Sequence, residues 1–394
     1  MTADRLIRLQ TGCAAIPERL LLAHAQGKVV FITGAGTSMA SGLPDFKRLV
    51  DLTYAAADTA LHALVKDLKL GESPPKAEVE NLKPKQRAEL GRYIKGDWDV
   101  VLGMLERRID GTSHQQATVR KAIEGIIRRL DDPPKPSSIH RSLIKLSDRG
   151  DARTIVTTNF DLLLEDAARA GKTAIQSYSL GAIPRPSLRP EFGGIFHIHG
   201  ALDRRVDRQS DVIITDQDFG ELYLRRRTVG DFIYDAARLF HLVLVGYSAN
   251  DAPMRYLLNA VAADGSRFED LKERFTFVAS TAPPDDAILE DWKGRGITPI
   301  AYNEAGLHKE LADTFEVWAS LSAINGKSSR LDSLIRKLVK TPRSTATDEA
   351  KDLFDHLYRR GNPTERNKFA EVATKAKADL DWLTAILKIG QEPK

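Results

Sequence analysis

The sequence contains a single cysteine and no long hydrophobic run. One thiol, Cys13, excludes an internal disulfide and a zinc site built on four cysteines. The longest apolar stretches, residues 29–32 and 242–245, are far shorter than the roughly 18 residues that a membrane-spanning helix requires. The first residues form no apolar signal core, so we expect a cytoplasmic protein that does not insert into a membrane.

Strong charge of either sign is also absent. A net charge of +4 over 394 residues is too small to indicate direct nucleic-acid binding. The positive surplus lies in residues 326–394, which carry 15 Lys and Arg against 10 Asp and Glu. Such a segment is either a solvated helical surface or an interaction surface. No Gly-x₄-Gly-Lys-Ser/Thr motif is present, so any ATPase activity of that type would come from a partner.

Apolar runs alternate with helical periodicity through much of the chain. This alternation predicts an α/β fold with a doubly wound, mostly parallel Rossmann-like sheet. Residues 46–150 show helical spacing only, which predicts a large helical insertion within a body of residues 1–325. Residues 326–394 form a predicted C-terminal appendage, with helices near 331–339, 350–358 and 369–387. The predicted strands are 29–33, 154–157, 173–178, 195–199, 212–215, 242–245, 275–279 and 298–302.

A glycine-rich segment, Thr33-Gly-Ala-Gly-Thr-Ser-Met-Ala-Ser-Gly-Leu-Pro-Asp-Phe46, directly follows the strand at 29–33. Gly34 and Gly36 allow a tight turn whose backbone can approach a pyrophosphate, with N–H groups stabilising its charge. Met39 stands where the usual dinucleotide fingerprint has its third glycine, and glycine turns without a ligand are common. By itself, this segment is therefore only a candidate phosphate-binding turn.

Three later segments also place polar residues after predicted strands: Thr157-Thr-Asn-Phe-Asp161, Phe196-His-Ile-His-Gly200 and Val245-Gly-Tyr-Ser-Ala-Asn-Asp251. Asp161 precedes a predicted helix, so it is either a helix cap or a site residue. His197 and His199 face the same side of a strand, which also suits a metal, but no third ligand accompanies them. Ser248 and Asp251 either shape a turn or bind a ligand.

Taken together and in this order, the four segments resemble the NAD-binding and catalytic motifs of the sirtuin family. The resemblance implies that Asn159 holds the ribose or a water and that His199 accepts a proton. It leaves His197 as a packing or supporting residue. The residues that it implies for NAD binding are Gly34, Ala35, Gly36, Ser38, Pro44, Asp45, Phe46, Asp161, Gly246, Ser248, Asn250 and Asp251.

Two departures from the sirtuin pattern disfavour protein deacylation. The four zinc-binding cysteines are missing, and Lys47 replaces the arginine that usually follows Pro-Asp-Phe. In these features the chain is similar to sirtuin-like proteins of bacterial antiviral defence, which hydrolyse NAD to nicotinamide and ADP-ribose. The resemblance implies NAD as the substrate, no zinc, and NAD depletion as an abortive-infection response.

The short helical tail is similar to that of the effector that assembles with a HerA-type ATPase. This resemblance implies a homo-oligomer with a HerA-like ATPase as a partner. Two other functions remain open: a zinc-free, sirtuin-like protein deacylase, and a non-catalytic module that senses NAD or ADP-ribose.

Overall fold

A seven-stranded parallel sheet lies at the centre of the computed structural model. The structure describes residues 4–111, 117–202, 204, 211–247, 258, 271–281 and 285–392. The strands within these ranges are β1 (Leu6–Arg8), β2 (Ala15–Pro17), β3 (Val29–Thr33), β4 (Thr154–Thr157), β5 (Ser177–Ser179), β6 (Gly194–His197), β7 (His241–Val245), β8 (Arg274–Ser280) and β9 (Thr298–Asn303). The sheet order is β5-β6-β4-β3-β7-β8-β9, and β1 and β2 form a separate antiparallel hairpin.

Helices cover both faces of the sheet, which confirms the predicted doubly wound α/β fold. The helices of the body are α1 (Glu18–Ala25), α2 (Gly36–Met39), α3 (Phe46–Ala57), α4 (Thr59–Val65), α5 (Lys76–Glu80), α6 (Pro84–Lys95), α7 (Trp98–Ile109), α8 (Thr118–Arg128), α9 (Ser138–Leu146), α10 (Leu163–Ala170), α11 (Asp216–Phe219), α12 (Thr228–Leu239), α13 (Asp286–Gly294) and α14 (Ala305–Leu321). A π-helical turn, Gly220–Arg225, separates α11 from α12. All five residues of β3 are buried, as expected for a parallel strand that is covered on both faces.

The helices α3 to α8 build a small apolar core of their own beside the sheet. Val50 and Leu105 belong to this core, and so do Phe160 and Leu202. Because Phe160 and Leu202 follow β4 and β6, the helical insertion packs against the carboxyl ends of these strands. Ligands of doubly wound sheets bind at that edge.

The C-terminal helices are α15 (Ser328–Leu338), α16 (Asp348–Arg359), α17 (Pro363–Lys375) and α18 (Leu380–Gly390). Their buried Phe354 and Trp382 belong to the same apolar cluster as Ile7 of the N-terminal hairpin. Glu18 adds an ionic contact, since its Oε1 lies 2.6 Å from Arg359 Nη1. The tail is therefore packed on the body through a shared core. Among the described residues, no helix combines the length and apolar character needed to cross a membrane.

The strand predicted at 212–215 is wrong. These residues are buried, but the amides of Ile214 and Thr215 donate to the carboxylate of Asp218 rather than to a neighbouring strand. That carboxylate caps α11, so local capping competes with strand pairing. Of these four amides, that of Ile213 bonds to the residues that follow β6, since it donates to the His199 carbonyl oxygen at 2.8 Å.

Other predicted boundaries also differ from the structure, and the N-terminal hairpin was not predicted. The strand predicted at 195–199 is Gly194–His197, so His199 lies beyond the strand that carries His197. The strand predicted at 173–178 is only Ser177–Ser179. The helix predicted at 369–387 is instead two helices, because Lys377 adopts a left-handed backbone with φ of 61°. Asp379 then caps α18 by accepting from the Trp382 amide at 3.0 Å.

Candidate functional site

Asn159 lies two residues beyond the end of β4 and turns its side chain toward the glycine-rich turn after β3. Its Nδ2 is 3.1 Å from the Gly34 carbonyl oxygen, 3.2 Å from Thr37 Oγ1 and 3.0 Å from Ser38 Oγ. A carbonyl oxygen only accepts hydrogen bonds, so the NH₂ group is the part of the amide that faces the turn. Among the described residues these contacts use only the NH₂ group, so Oδ1 can accept a hydrogen bond from a ligand.

Ser38 connects Asn159 to two further polar groups. Its Oγ donates to Asp161 Oδ2 at 2.8 Å, and His140 Nε2 lies 3.4 Å from the same oxygen. The Ser137 amide donates to His140 Nδ1 at 3.2 Å, so the proton of the neutral ring is on Nε2, facing Ser38. Burial lowers the pKa of His140 to about 4, which keeps this ring neutral at pH 7.

Asp161 hydrogen-bonds to the start of α10, as a helix cap does, and also contacts Ser38, whereas its role in NAD binding stays a prediction. Its Oδ1 accepts from the amide of Leu163, the first residue of α10, at 3.0 Å. Its Oδ2 accepts from Ser38, so the same carboxylate joins the helix to the glycine-rich turn. Burial raises the pKa of Asp161 above its ordinary value, against the opposing effect of these hydrogen bonds.

His197 is a buried cation that contacts the backbone of Asn159. Its Nδ1 is 2.9 Å from the Asn159 carbonyl oxygen and its Nε2 is 2.7 Å from Glu165 Oε1. Both partners accept, so both ring nitrogens carry protons. Burial by itself would lower the pKa of His197, but the hydrogen bond and charge of Glu165 raise it above its usual value. This ion pair holds the backbone of Asn159.

His199 occupies a different environment from His197. It is 4% exposed, and its Nε2 lies 2.5 Å from the hydroxyl of Tyr223. The rings of Phe219 and Tyr223 pack edge-on against the imidazole, with centroids 5.5 and 5.7 Å away. Burial lowers the pKa of His199 to about 3, so the ring is neutral near pH 7.

The glycines of the turn bring the ends of β3 and β7 together, at the point where the strand order reverses. A Cβ on Gly36 would lie 2.8 Å from Gly246 Cα, and one on Gly34 would lie 2.7 Å from the Gly246 carbonyl oxygen. Gly246 has a φ of 71°, which favours glycine. Close packing between two strand ends therefore requires these glycines, whether or not a pyrophosphate approaches them.

Most amides of this turn are already hydrogen-bonded within the protein. The Gly34 amide donates to the Val245 carbonyl and the Gly36 amide to the Gly246 carbonyl, each at 2.9 Å. The amides of Thr37 and Ser38 also donate to carbonyl oxygens of the turn. Ala35, which is half-buried, carries the remaining amide of residues 34–38 that a phosphate oxygen could reach. The expected cradle of several N–H groups is thus reduced.

The other predicted NAD-binding residues lie at the start of α3 or beyond the described ranges. Asp45 is exposed and caps α3, since its side chain accepts from the Arg48 amide at 2.7 Å. Pro44 precedes it, and Phe46 packs partly buried against the core of the helical insertion. Ser248, Asn250 and Asp251 lie outside the described residues.

The structure adds three residues that sequence reasoning missed. His140 and Tyr223 each contact a predicted site residue, and Glu165 contacts His197, the predicted packing or supporting residue. Glu165 lies in the first turn of α10, where an acidic residue is ordinary, so its position alone carried no signal. Within the described ranges, no group of three or more His, Cys, Asp or Glu side chains is placed to hold a metal ion.

Part of the chain matches a known family model. Residues 153–300 match the family model of the SIR2-like domain. The uncharacterized protein y4cA of Sinorhizobium fredii (strain NBRC 101917 / NGR234) is 31% identical over 365 residues, which are 87% of this chain. This chain spans only 28% of the length of that relative.

A solved structure described as "Structural Basis for the Mechanism and Regulation of Sir2 Enzymes" aligns with 77% of this chain and 96% of its own, at 14% identity and a TM-score of 0.39. The fold assignment therefore comes from the strand order of this chain. The match to the family model covers the segments that contain Asn159 and His199. The chain thus contains a region similar to the SIR2-like domain, and that region carries both predicted catalytic residues.

Proposed function

We propose that this protein hydrolyses NAD to nicotinamide and ADP-ribose. The observation that carries this proposal is the fixed orientation of Asn159, whose NH₂ group is held by the glycine-rich turn so that Oδ1 remains available. The match of residues 153–300 to the SIR2-like domain supports NAD as the ligand of this site.

The residues of the site suit the chemistry of this bond. The bond between the nicotinamide nitrogen and the ribose carbon breaks, and its electron pair leaves with the neutral nicotinamide ring. No general acid is needed for this departure, but positive charge develops on the ribose. Asn159 Oδ1 is suited to orient a ribose hydroxyl or the attacking water. The water adds to the ribose carbon and loses one proton.

His199 is the proposed acceptor of that proton. A neutral imidazole has one nitrogen with a free lone pair, so the neutral state of His199 near pH 7 meets the first requirement of a base. Behind the site, the ion pair of His197 and Glu165 holds the Asn159 backbone. The close packing of Gly34 and Gly36 against Gly246 fixes the turn to which the Asn159 side chain is hydrogen-bonded.

Mass spectrometry of the products tests the reaction. The purified chain is incubated with NAD, with and without an acetyl-lysine peptide. Nicotinamide and ADP-ribose in equal amounts without peptide are the expected result. Nicotinamide release that requires the peptide, with an acetylated ADP-ribose as the second product, would identify a deacylase instead. Saturable NAD binding without any turnover would identify a sensor.

We further propose that NAD depletion serves antiviral defence, and that the chain assembles with itself and with a HerA-like ATPase. The need to restrain an NAD hydrolase inside its own cell supports dependence on such a partner. Leu380 and Leu387 of α18 are 77% and 67% exposed, seven residues apart on one helix, and offer an apolar surface for assembly. Light scattering of the chain with and without the ATPase tests this.

A further inference from the structure

Tyr223 covers Nε2 of His199, which is the ring nitrogen with the free lone pair when the Tyr223 hydroxyl donates. The distance of 2.5 Å from Tyr223 Oη to His199 Nε2 leaves no space for a water or ribose hydroxyl between them. His199 itself is 4% exposed, and Phe219 closes a second side of the ring. A substrate reaches Nε2 only after the Tyr223 hydroxyl has moved away.

Ion pairs hold the start of the segment that carries Tyr223. At the start of the segment, Asp218 accepts two hydrogen bonds from Arg120, at 2.9 and 3.0 Å. Asp216 pairs with Arg107 at 3.2 Å. These contacts fix α11 to the helical insertion. Beyond Phe219 the contacts are apolar, since Leu222 and Tyr223 pack partly buried against the cluster that contains Phe232.

Beyond Phe219 the backbone forms a π-helical turn, Gly220–Arg225, that carries Tyr223. Arg225 and Arg226 both pair with Glu221, so the ionic contacts described for them stay within the segment. Leu224 is 78% exposed, and Arg227 adopts a left-handed backbone with φ of 54°. π-Helical turns and non-glycine left-handed residues are uncommon and concentrate at functional sites.

Resting on the proposed function, we infer that Tyr223 is a latch on the His199 base, and that release of the π-helical turn Gly220–Arg225 from His199 switches the site from closed to open. The contacts described between Tyr223 and His199 are one hydrogen bond and the edge-on approach of their two rings. Tyr223 is in this account a positioning residue, because it acts on the reaction through His199.

Tyr223→Phe removes the hydrogen bond and keeps the ring. One neutral hydrogen bond contributes about 0.5–1.5 kcal/mol, which corresponds to a roughly two- to tenfold larger open fraction. Tyr234→Phe is the matched control, because Tyr234 is a partly buried tyrosine of α12. Both variants keep an aromatic ring in place, so we expect both to fold.

Two measurements on the full chain separate the latch from the proposed function. The first is the rate at which diethyl pyrocarbonate acylates His199, located by fragmentation in the mass spectrometer, which does not depend on NAD. The second is the kcat and KM for NAD. We expect Tyr223→Phe to increase the labelling rate and kcat/KM by about two- to tenfold, and Tyr234→Phe to change neither.

An unchanged labelling rate of His199 in Tyr223→Phe would overturn the latch. A higher labelling rate together with a lower kcat would also overturn it, because Tyr223 would then assist the base. If labelling increases while wild type and both variants leave NAD intact, the latch holds and the proposed hydrolysis is wrong.

Discussion

Replacing Glu165 tests whether the buried His197 cation holds Asn159 in place. Glu165→Gln keeps the size of the side chain but removes its charge, whereas Glu165→Ala also removes the hydrogen-bond partner of His197. The side chains of His197 and Glu165 are 0% and 12% exposed, so solvent screens their interaction only weakly. Glu290→Gln is a suitable control, because Glu290 pairs with Lys293 at the surface and is 68% exposed.

The expected loss of unfolding free energy differs between the two variants. In Glu165→Gln a neutral His197 can still donate from Nδ1 to the Asn159 carbonyl and accept at Nε2 from the glutamine amide. Only the charge-assisted part of one hydrogen bond is lost, which is about 1–2 kcal/mol. Glu165→Ala leaves His197 buried without its partner, and breaking a buried pair in this way costs about 3–5 kcal/mol.

The pH dependence follows from the directions of the two pKa shifts. The pKa of His197 is raised, so its contribution to stability is full below its ordinary value of 6.5 and is lost as the pH rises through the folded-state pKa. The pKa of Glu165 is lowered, so its contribution is full above its ordinary value of 4.5 and is lost as the pH falls through the folded-state pKa. The stability difference between wild type and Glu165→Gln is therefore largest between these two values.

Urea unfolding of wild type and Glu165→Gln at about pH 5.5 and at about pH 9 measures this difference in unfolding free energy. We expect a larger difference at the lower pH, and Glu290→Gln to change stability little at either pH. A difference that is the same at both values, or a loss below about 1 kcal/mol in Glu165→Ala, would refute the buried cation.

Three further predictions concern packing and metal. Gly36→Ala should lower the unfolding free energy by about 1–3 kcal/mol, because its methyl group would overpack against Gly246. Gly181→Ala should not lower it, because a methyl group there would enter open space. Equal melting temperatures of the two variants would contradict this prediction. Deleting 328–394 should lower the melting temperature or solubility, because Ile7 and its cluster lose their cover; an unchanged melting temperature would show that the cover is dispensable. A chelator should leave the melting temperature unchanged, and one zinc per chain by elemental analysis would contradict the expected lack of zinc.

Local patterns predicted strands such as β3, β4 and β7, because each of these is a short apolar run whose end is marked by glycine or polar residues. Parallel strands end at one edge, which is why Ser38, Asn159 and Asp161, from segments that follow different strands, lie near one another. Their mutual hydrogen bonds agree with this reasoning. The packing role of Gly36 could not be predicted from the sequence, because it depends on the tertiary contact with Gly246, which fills the space beside Gly36.

The residues that the sequence did not reveal act through tertiary contacts. Tyr223 is 24 residues from His199, and His140 is 102 residues from Ser38. Neither lies in a motif whose spacing signals its partner. A local cap also misled the strand prediction at 212–215, because the Asp218 carboxylate takes the amides that strand pairing would have used.

Single-turnover hydrolysis of NAD by Asn159→Ala tests the central claim most directly. The variant removes the group that presents Oδ1, and His140→Gln, which keeps a polar side chain near Ser38, serves as a fold-matched comparison. With wild-type melting behaviour, we expect Asn159→Ala to slow nicotinamide release by about 10²-fold, a loss typical when the reacting atoms are no longer held in position. Release within about twofold of the wild-type rate would contradict the assignment of Asn159 to the reacting ribose.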